Sequence, residues 1–398
     1  MTPRMRSVAL RIFALLLVVG AGWGLAQVID PRVSVEDIRG MREAAARQAG
    51  EDFLDQYVEG DGRVVRRDEG GDVVSEGQAY GMLIAAALED EDRFRAIWDW
   101  TKSNMLRPDG LLSWRWADGR VTDPNSAADA DLDAARSLIL AGHKFDAPEL
   151  TEDGEKLGAD IMRAETTPVG SPTVPPNEVA PVGKWVVGAG QVTVAGNWAV
   201  GPKQSINPGY FSPRAELELL HASRDRRWAE LSRTQRVLTW QLMGAGQLPP
   251  DWADINAAGH AVPIAPPTGG PVHFGLDAAR LPIRFAESCD SADRSLAASM
   301  RPVLAAPGDV PALRNLDGSA ASDWQHPVAI VSAAAAEQAA GDADAAATRL
   351  DEATALQQQY PTYFGAAWVA LGRIMLATTL LGDCPAHGSR FVDHRQPA

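Results

Sequence analysis

Cysteine is scarce in this chain of 398 residues, which contains only Cys289 and Cys384. The sequence has neither a C-x-x-C nor an H-E-x-x-H motif, and its seven histidines do not cluster. Because those patterns are typical of zinc sites, we expect no metal and no cofactor. Two cysteines suit a protein outside the cytoplasm, but their spacing leaves open whether they pair.

Basic residues are also few, with 37 Lys and Arg against 52 Asp and Glu, a net charge of −15. Such a field argues against nucleic acid or an anionic membrane surface as a partner. An uncharged or cationic substrate is easier to reconcile with it. Twelve Trp against five Tyr give a tryptophan-rich balance. Indole faces suit stacking on sugars, although we expect about half of them to pack in the core.

The N-terminus lacks an apolar run long enough for an ordinary membrane span, which needs ~20 residues. Arg4, Arg6 and Arg11 precede residues 12–26, which carry no charge and end in small residues. This order is typical of a secretory signal peptide. We predict a signal peptide at residues 1–26 and a periplasmic or secreted mature protein; an uncleaved anchor is the alternative.

A fixed-period repeat is missing too, which argues against a helical solenoid. Apolar residues recur at helical spacing along most of the chain, and buried-looking helices alternate with amphipathic ones. This alternation predicts an all-α fold, an (α/α)6 barrel of six helical hairpins with an inner and an outer ring. The twelve predicted helices cover residues 35–58, 75–89, 91–105, 130–144, 149–164, 213–223, 226–243, 276–287, 291–305, 326–340, 342–358 and 363–381.

The helical rhythm is interrupted around residues 166–210. Residues 166–183 carry five prolines and predict a loop, and residues 184–200 alternate like a short β-hairpin. Helices of the same style resume afterwards, so neither stretch resembles a domain linker. We predict one catalytic domain over residues 27–398.

Acidic residues lie at the starts of three predicted helices. Glu76 begins one, Asp129 and Asp131 begin the next, and Asp277 begins the third. The helix dipole favours acids in first turns, so N-terminal stabilisation is the simplest interpretation of each. In a barrel of hairpins, however, every inner helix begins at the same end, where these carboxylates would converge. Two carboxylates flanking a bond are what glycoside hydrolysis requires.

The stretch SEGQAYGM, residues 75–82, is unusual for a helix start. Ser75 and Gln78 fit a capping box, but Gly77 costs about 1 kcal/mol relative to Ala inside a helix. We interpret Gly77 as room for a sugar ring against the backbone. Since a helix N-terminus lowers a carboxyl pKa and a general acid needs it raised, burial of Glu76 near Asp129 would have to outweigh the dipole.

Four motifs together resemble glycoside hydrolase family 8: SEGQAYGM, NSAADADLDAARSLILAGHKF, INPGYFSP and FGLDAARLP, in this order. Within the family the chain most resembles the periplasmic endoglucanases associated with bacterial cellulose synthesis, over about residues 50–380. The resemblance implies an (α/α)6 barrel, inversion of anomeric configuration and endo-cleavage of a β-1,4-linked polysaccharide. The sequence departs from the family pattern at Ala128, where Ser or Thr is usual, and at Ala134.

The resemblance also implies roles for individual residues. Glu76 would be the general acid, Asp277 the base that activates water, and Asp129 would hold the distorted sugar. Tyr210 would contact the sugar or the water, or else be a core tyrosine, and Arg280 would orient Asp277 or form an ordinary surface pair.

Further candidates for substrate contact come from the same motifs and from a tryptophan pair. Trp114 and Trp116 are the best stacking platforms. At i and i+2 they would share one face in a strand but not in a helix, and we expect only one of them to line the cleft. The remaining candidates are Asp131, Gln78 and Tyr80.

The sequence therefore predicts an endo-β-1,4-glucanase, a cellulase. Alternatives are a chitosanase or xylanase of the same family, or a non-catalytic glycan-binding protein; loss of Glu76 or Asp277 would have favoured the latter. As partners we expect the polysaccharide substrate and an association with the cellulose synthesis machinery, no nucleic acid, and a monomer.

Overall fold

The structure, a computed structural model, describes residues 34–170, 190–201, 203–244 and 248–384. Within these residues, six inner helices contact one another in a closed ring, and outer helices pack around them. The inner helices are α2 (Ser75–Leu88), α4 (Ala128–Lys144), α6 (Pro213–Ser223), α8 (Arg280–Glu287), α11 (Pro327–Ala339) and α13 (Tyr363–Ala377). The outer helices are α1 (Val35–Tyr57), α3 (Glu91–Asn104), α5 (Pro148–Ala164), α7 (Arg227–Met243), α9 (Ser291–Ser299), its short continuation α10 (Arg301–Leu304), and α12 (Ala343–Gln359).

The predicted (α/α)6 barrel is confirmed, with helix bounds that agree to within about one turn. The sequence explains the two layers. In outer helix α3, Phe94, Ile97, Trp98 and Thr101 recur at helical spacing and are the buried residues. Inner helix α2 is apolar nearly all round and buries every residue from Gly77 to Ala87. One cluster of buried side chains includes members of all these helices.

Ion pairs cross the barrel between inner helices α4 and α8. The pairs are Asp129–Arg280, Asp133–Arg284 and Arg136–Glu287, each joining residues 151 apart in sequence. Because this offset is constant and successive ion pairs lie about one helical turn apart, α4 and α8 run parallel. The N-terminal ends of these two inner helices therefore lie at the same end of the barrel.

Short antiparallel sheets extend from that scaffold. They are β1–β2–β3 (Val73–Val74, Arg115–Ala117, Arg120–Asp123), β4–β5 (Thr166–Val169, Gly190–Thr193) and β6–β7–β8 (Gln204–Ile206, Ala253–Ile255, Ala261–Pro263).

The prediction for residues 166–200 was wrong in its pairing. The start of the predicted loop is strand β4, which pairs with β5 from within the predicted hairpin. Pro168 faces Gln191 in this two-stranded ladder, an edge setting in which the missing proline N–H is tolerated. Residues 171–189, which hold the rest of the loop and the start of the hairpin, lie outside the described residues.

Cys289 and Cys384 form a disulfide, with their Cα atoms 5.4 Å apart. It ties the end of inner helix α8 to the segment that follows α13. No helix in the described part of the chain is long and apolar enough to cross a membrane. The predicted signal peptide, residues 1–26, lies outside the described residues.

Candidate active site

A cleft of about 700 Å³ opens at the barrel end where the inner helices begin. Its wall includes two of the predicted carboxylates, Glu76 and Asp277. The same wall also carries Trp114, Trp198, Tyr210, Asp251 and Trp252.

Arg280 is the centre of the charged cluster. Its side chain is 0% exposed, yet its Nη1 donates to Glu76 Oε2 at 3.1 Å and to Asp129 Oδ2 at 2.7 Å. Its Nη2 donates to Asp277 Oδ1 at 2.7 Å. One buried guanidinium thus holds the three carboxylates from the starts of α2 and α4 and from the turn before α8. The alternative of an ordinary surface pair for Arg280 is wrong, because no part of this side chain reaches solvent.

Glu76 keeps 19% of its side chain exposed to the cleft. Its pKa is raised to about 8, mainly because burial penalises the charged form. Arg280 opposes the shift, and the charges of Asp129 and Asp277 add to it. Burial therefore outweighs the guanidinium, so this carboxyl keeps its proton at neutral pH.

Asp277 lies in a turn before α8, which begins at Arg280, so the prediction that Asp277 opens the helix was wrong. Its carboxylate is 34% exposed. Asn207 Nδ2 donates to Asp277 Oδ2 at 2.9 Å, while Arg280 occupies the other oxygen. Asn207 belongs to the INPGYFSP motif but was not among the predicted site residues. Both oxygens of Asp277 are fixed, and the carboxylate faces the cleft.

Asp251 is a cleft carboxylate that the sequence analysis missed. Its Oδ1 accepts from Gly275 N at 3.0 Å and Ala278 N at 2.7 Å, so it holds the backbone on both sides of Asp277. Burial raises the pKa of Asp251 to about 7, and the charge of Asp277 adds to the shift. No local pattern marks Asp251, because both partners lie more than twenty residues away.

Aromatic rings line the cleft beside the carboxylates. Tyr210 lies over the Arg280 guanidinium, 4.9 Å from ring centroid to Cζ. Trp252 contacts Trp198 at 6.1 Å and Tyr210 at 6.2 Å between ring centroids. Trp198 and Trp114 are 43% and 36% exposed, as expected of stacking platforms. Trp198 and Trp252 were not predicted; only membership of the tryptophan-rich set pointed to them.

Trp116 does not line the cleft. It packs edge-to-face on Trp100, with ring centroids 5.2 Å apart. One of the two predicted platforms thus reaches the cleft, Trp114. The reason is not a helix, because Trp116 lies in strand β2, whose register shifts between Arg115 and Trp116.

Three other predicted contact residues are buried and cannot touch a substrate in this structure. Gln78 is 0% exposed and bonds Val64 N, Gly62 O and Thr101 Oγ1. Tyr80 is 0% exposed, and its hydroxyl accepts a hydrogen bond from Arg280 Nη1 at 3.0 Å. Asp131 is 0% exposed and accepts from Leu112 N at 2.8 Å.

The start of α2 also differs from the sequence interpretation. Val74 is the N-cap, and Ser75 Oγ has no hydrogen-bond partner among the described residues, so there is no capping box. A Cβ on Gly77 would lie 2.7 Å from Tyr363 Oη. Gly77 is therefore needed for the close approach of Tyr363, and the interpretation as room for a sugar ring was wrong.

Apart from the carboxylates around Arg280, a buried acidic pair, Asp131 and Glu165, lies under the cleft wall. Both are 0% exposed, and Ser126, which lines the cleft, donates its hydroxyl to Glu165 Oε1 at 2.5 Å. Burial raises the pKa of Glu165 to about 8 and that of Asp131 well above its usual range. Asp131 Oδ2 and Glu165 Oε2 have no hydrogen-bond partner among the described residues, and the charge of Glu165 adds to the raised pKa of Asp131.

The charged side chains that line the cleft are carboxylates and arginine. No group of three or more His, Cys, Asp or Glu side chains able to hold a metal ion occurs in the described ranges. The chemistry that the cluster offers is general acid–base catalysis, in which one carboxyl donates a proton to a bound molecule and another accepts one across an open cleft.

Sequence comparisons agree with this geometry. Residues 39–367 match the sequence profile of Glycosyl hydrolases family 8. A probable endoglucanase of Novacetimonas hansenii is 31% identical over 275 residues, 67% of this chain and 73% of the relative. An endoglucanase of Pseudomonas fluorescens is 37% identical over 122 residues, 28% of this chain and 31% of the relative.

Solved structures share the fold. The endo-beta-1,4-glucanase CMCax from Acetobacter xylinum is 26% identical with a TM-score of 0.66, over 83% of this chain and 97% of that one. A beta-1,3-1,4-glucanase from Paenibacillus sp. X4 has a TM-score of 0.71 over 85% of this chain and 92% of its own, at 16% identity. The latter likeness shows the fold alone.

Proposed function

The chain belongs to glycosyl hydrolases family 8, and from that premise we propose that it is an inverting endo-β-1,4-glucanase with Glu76 as general acid and Asp277 as general base. One observation carries the proposal. Glu76 at the start of α2 and Asp277 in the turn before α8 face one cleft and are held by the same buried guanidinium of Arg280.

Glu76 has the properties of the acid. Its pKa, raised to about 8, leaves it protonated at neutral pH. The exposed part of its side chain lies where a glycosidic oxygen in the cleft would reach it. Protonation of that oxygen makes the leaving sugar a neutral alcohol and supports the oxocarbenium-like transition state.

Asp277 has the properties of the base. Asn207 and Arg280 each donate to one of its oxygens, and the two hydrogen bonds fix its orientation toward the cleft. Inversion requires ~6.5–9.5 Å between the two carboxyls, which leaves room for the attacking water, and we propose this separation for Glu76 and Asp277.

Asp129 and Tyr210 complete the cluster around Arg280. Asp129 is 2% exposed and bonds Arg280, so we assign it to holding the guanidinium and to raising the pKa of Glu76. Asp129 is buried and does not line the cleft, which argues against the direct sugar contact expected of it. Tyr210, over the same guanidinium, is placed to contact the sugar at the cleavage point.

The shape of the cleft supports attack within a chain. It is an open groove whose tryptophans offer apolar faces to successive sugar rings. A neutral β-1,4-glucan fits this lining and the negative field of the protein. Asp123 and Asp251 also line the cleft, and these acids favour chitosan, whose ammonium groups they would attract, as the second candidate substrate.

We further propose that residues 1–26 direct the protein out of the cytoplasm. Outside it, the mature protein would act as a monomer beside the cellulose synthesis machinery. The disulfide between Cys289 and Cys384 supports an oxidising compartment. N-terminal sequencing of native protein should begin near Gln27; an intact Met1 on a membrane-bound protein would contradict cleavage.

Reducing-sugar release from carboxymethylcellulose, chitosan, xylan and mixed-linkage glucan tests the activity. We expect the greatest release from the β-1,4-glucan, and a loss of about 10²–10⁴-fold in Glu76→Gln. The matched control is Glu152→Gln on the exposed face of α5, which should keep full activity. A Glu76→Gln variant with near-native rates would contradict the acid role, and preference for chitosan would favour the second candidate.

A further inference from the structure

A second cavity of about 620 Å³ lies outside the catalytic cleft. Trp324 and Tyr360 line it and are 45% and 63% exposed, unusual for such large rings. Its polar lining is Asp309, Asp323, Gln325 and Ser322.

This cavity shares a wall with the catalytic cleft. The wall is the segment between α10 and α11, in which Leu313 lines the cleft and Pro311 lines the second cavity. The wall is braced, since Ala312 N donates to Trp324 O at 2.9 Å and Leu313 N donates to Ser322 Oγ at 3.1 Å. Trp324 is therefore presented by a fixed backbone.

Aromatic contacts lead from this cavity to the catalytic cluster. Trp324 contacts His326 at 6.3 Å between ring centroids, and His326 contacts Phe364 at 5.9 Å. Phe364 in turn lies 5.9 Å from the Arg280 guanidinium. His326 and Phe364 lie at the starts of inner helices α11 and α13, so both cavities open at the same end of the barrel.

The chemistry of the lining favours a neutral glycan. An indole and a phenol ring offer flat apolar faces, and carboxylate and amide groups accept or donate hydrogen bonds to hydroxyls. The two carboxylates and the net charge of −15 disfavour nucleic acid and other polyanions. A sugar chain in the catalytic cleft would reach these rings by continuing along the same barrel rim.

We propose that Trp324 and Tyr360 form a distal binding site for the same neutral β-linked glucan chain whose scissile bond lies between Glu76 and Asp277. The site rests on the proposed function. The distal site would strengthen the binding of long chains but not of short ones, since a short oligosaccharide fills only the catalytic cleft.

The test compares long and short ligands on the Trp324→Ala and Tyr360→Ala variants. In a Glu76→Gln background, isothermal titration should show about fivefold weaker binding of a long soluble β-1,4-glucan and unchanged binding of a short β-1,4-gluco-oligosaccharide. With Glu76 restored, KM on the polymer should rise while kcat is unchanged, the pattern of lost uniform binding. Trp324→Phe and Tyr360→Phe keep a ring and should retain most of the affinity. Val262→Ala, which trims another exposed apolar side chain, should change nothing.

Equal losses on long and short ligands would overturn the distal site, because Trp324 would then act on the catalytic cleft. Unchanged polymer affinity and KM in both alanine variants would overturn it as well. Wild-type protein that neither binds nor hydrolyses β-glucan would instead contradict the proposed function, and the distal site with it.

Discussion

Asp133→Asn should test whether the ion pairs across the barrel hold α4 and α8 together. Arg284 donates from Nη1 to Asp133 Oδ1 at 2.8 Å and from Nη2 to Asp133 Oδ2 at 2.6 Å, and both side chains are 1% exposed. The substitution leaves a guanidinium buried without a counter-ion. Arg284 Nε already lacks a hydrogen-bond partner among the described residues, and the Trp368 ring, 5.4 Å away, is a weak replacement.

Removing one partner of a buried pair costs about 3–5 kcal/mol of unfolding free energy, a large share of the ~5–15 kcal/mol typical of folded proteins. Urea denaturation should show this loss as a lower midpoint at an unchanged slope. The double variant Asp133→Leu, Arg284→Met should lose less than Asp133→Asn, since no charge stays buried.

The matched control is an exposed ion pair, Arg301–Asp342, whose side chains are 43% and 44% exposed at 2.9 Å. Asp342 also caps α12, and Asn caps equally well, so Asp342→Asn should cost under about 1 kcal/mol. The reasoning would be refuted if Asp133→Asn cost no more than this control, or if the double variant were less stable than Asp133→Asn.

Three further predictions concern pH and the disulfide. Because Glu76 must be protonated, kcat/KM should fall as the pH rises through about 8; a profile flat to higher pH would contradict the acid role. Glu165, whose pKa is raised from 4.5 to about 8, binds its proton more tightly when folded, so stability is lost as the pH rises through that range. Glu165→Gln should therefore show a shallower fall in melting temperature with pH, and an unchanged slope would count against the raised pKa of Glu165. Loss of the Cys289–Cys384 disulfide, which closes a separation of 95 residues, should cost about 2–5 kcal/mol in denaturation; equal stability under reducing conditions would show that it is dispensable.

The helices could be predicted from the sequence because their signal is local. Apolar spacing within each segment determines which face is buried, and the alternation of two helix types determines the two layers. Glu76, Asp129 and Asp277 could be grouped for the same reason, since each lies near the start of an inner helix. The turn before α8 could not be predicted from local sequence, because its conformation depends on Asp251, which holds Gly275 and Ala278 from another part of the chain.

The errors at the start of α2 have the same physical origin. Gln78 fits a capping box by spacing, but its side chain instead hydrogen-bonds Val64 N and Thr101 Oγ1 in neighbouring elements. Gly77 is explained by Tyr363, nearly three hundred residues later in the chain. Such contacts leave no mark within a short window of sequence. The motifs therefore predicted where the site lies, but they did not predict which contacts each of its residues makes.

The anomeric form of the first product tests the acid and base assignment most directly. Proton NMR of a fresh hydrolysate of β-1,4-glucan should show the α-anomer first, followed by mutarotation to the equilibrium mixture, because a water activated by Asp277 attacks opposite the bond that Glu76 protonates. Asp277→Asn should abolish this product, and azide should not restore a β-glycosyl product. Initial formation of the β-anomer would contradict inversion and the role of Asp277 as base.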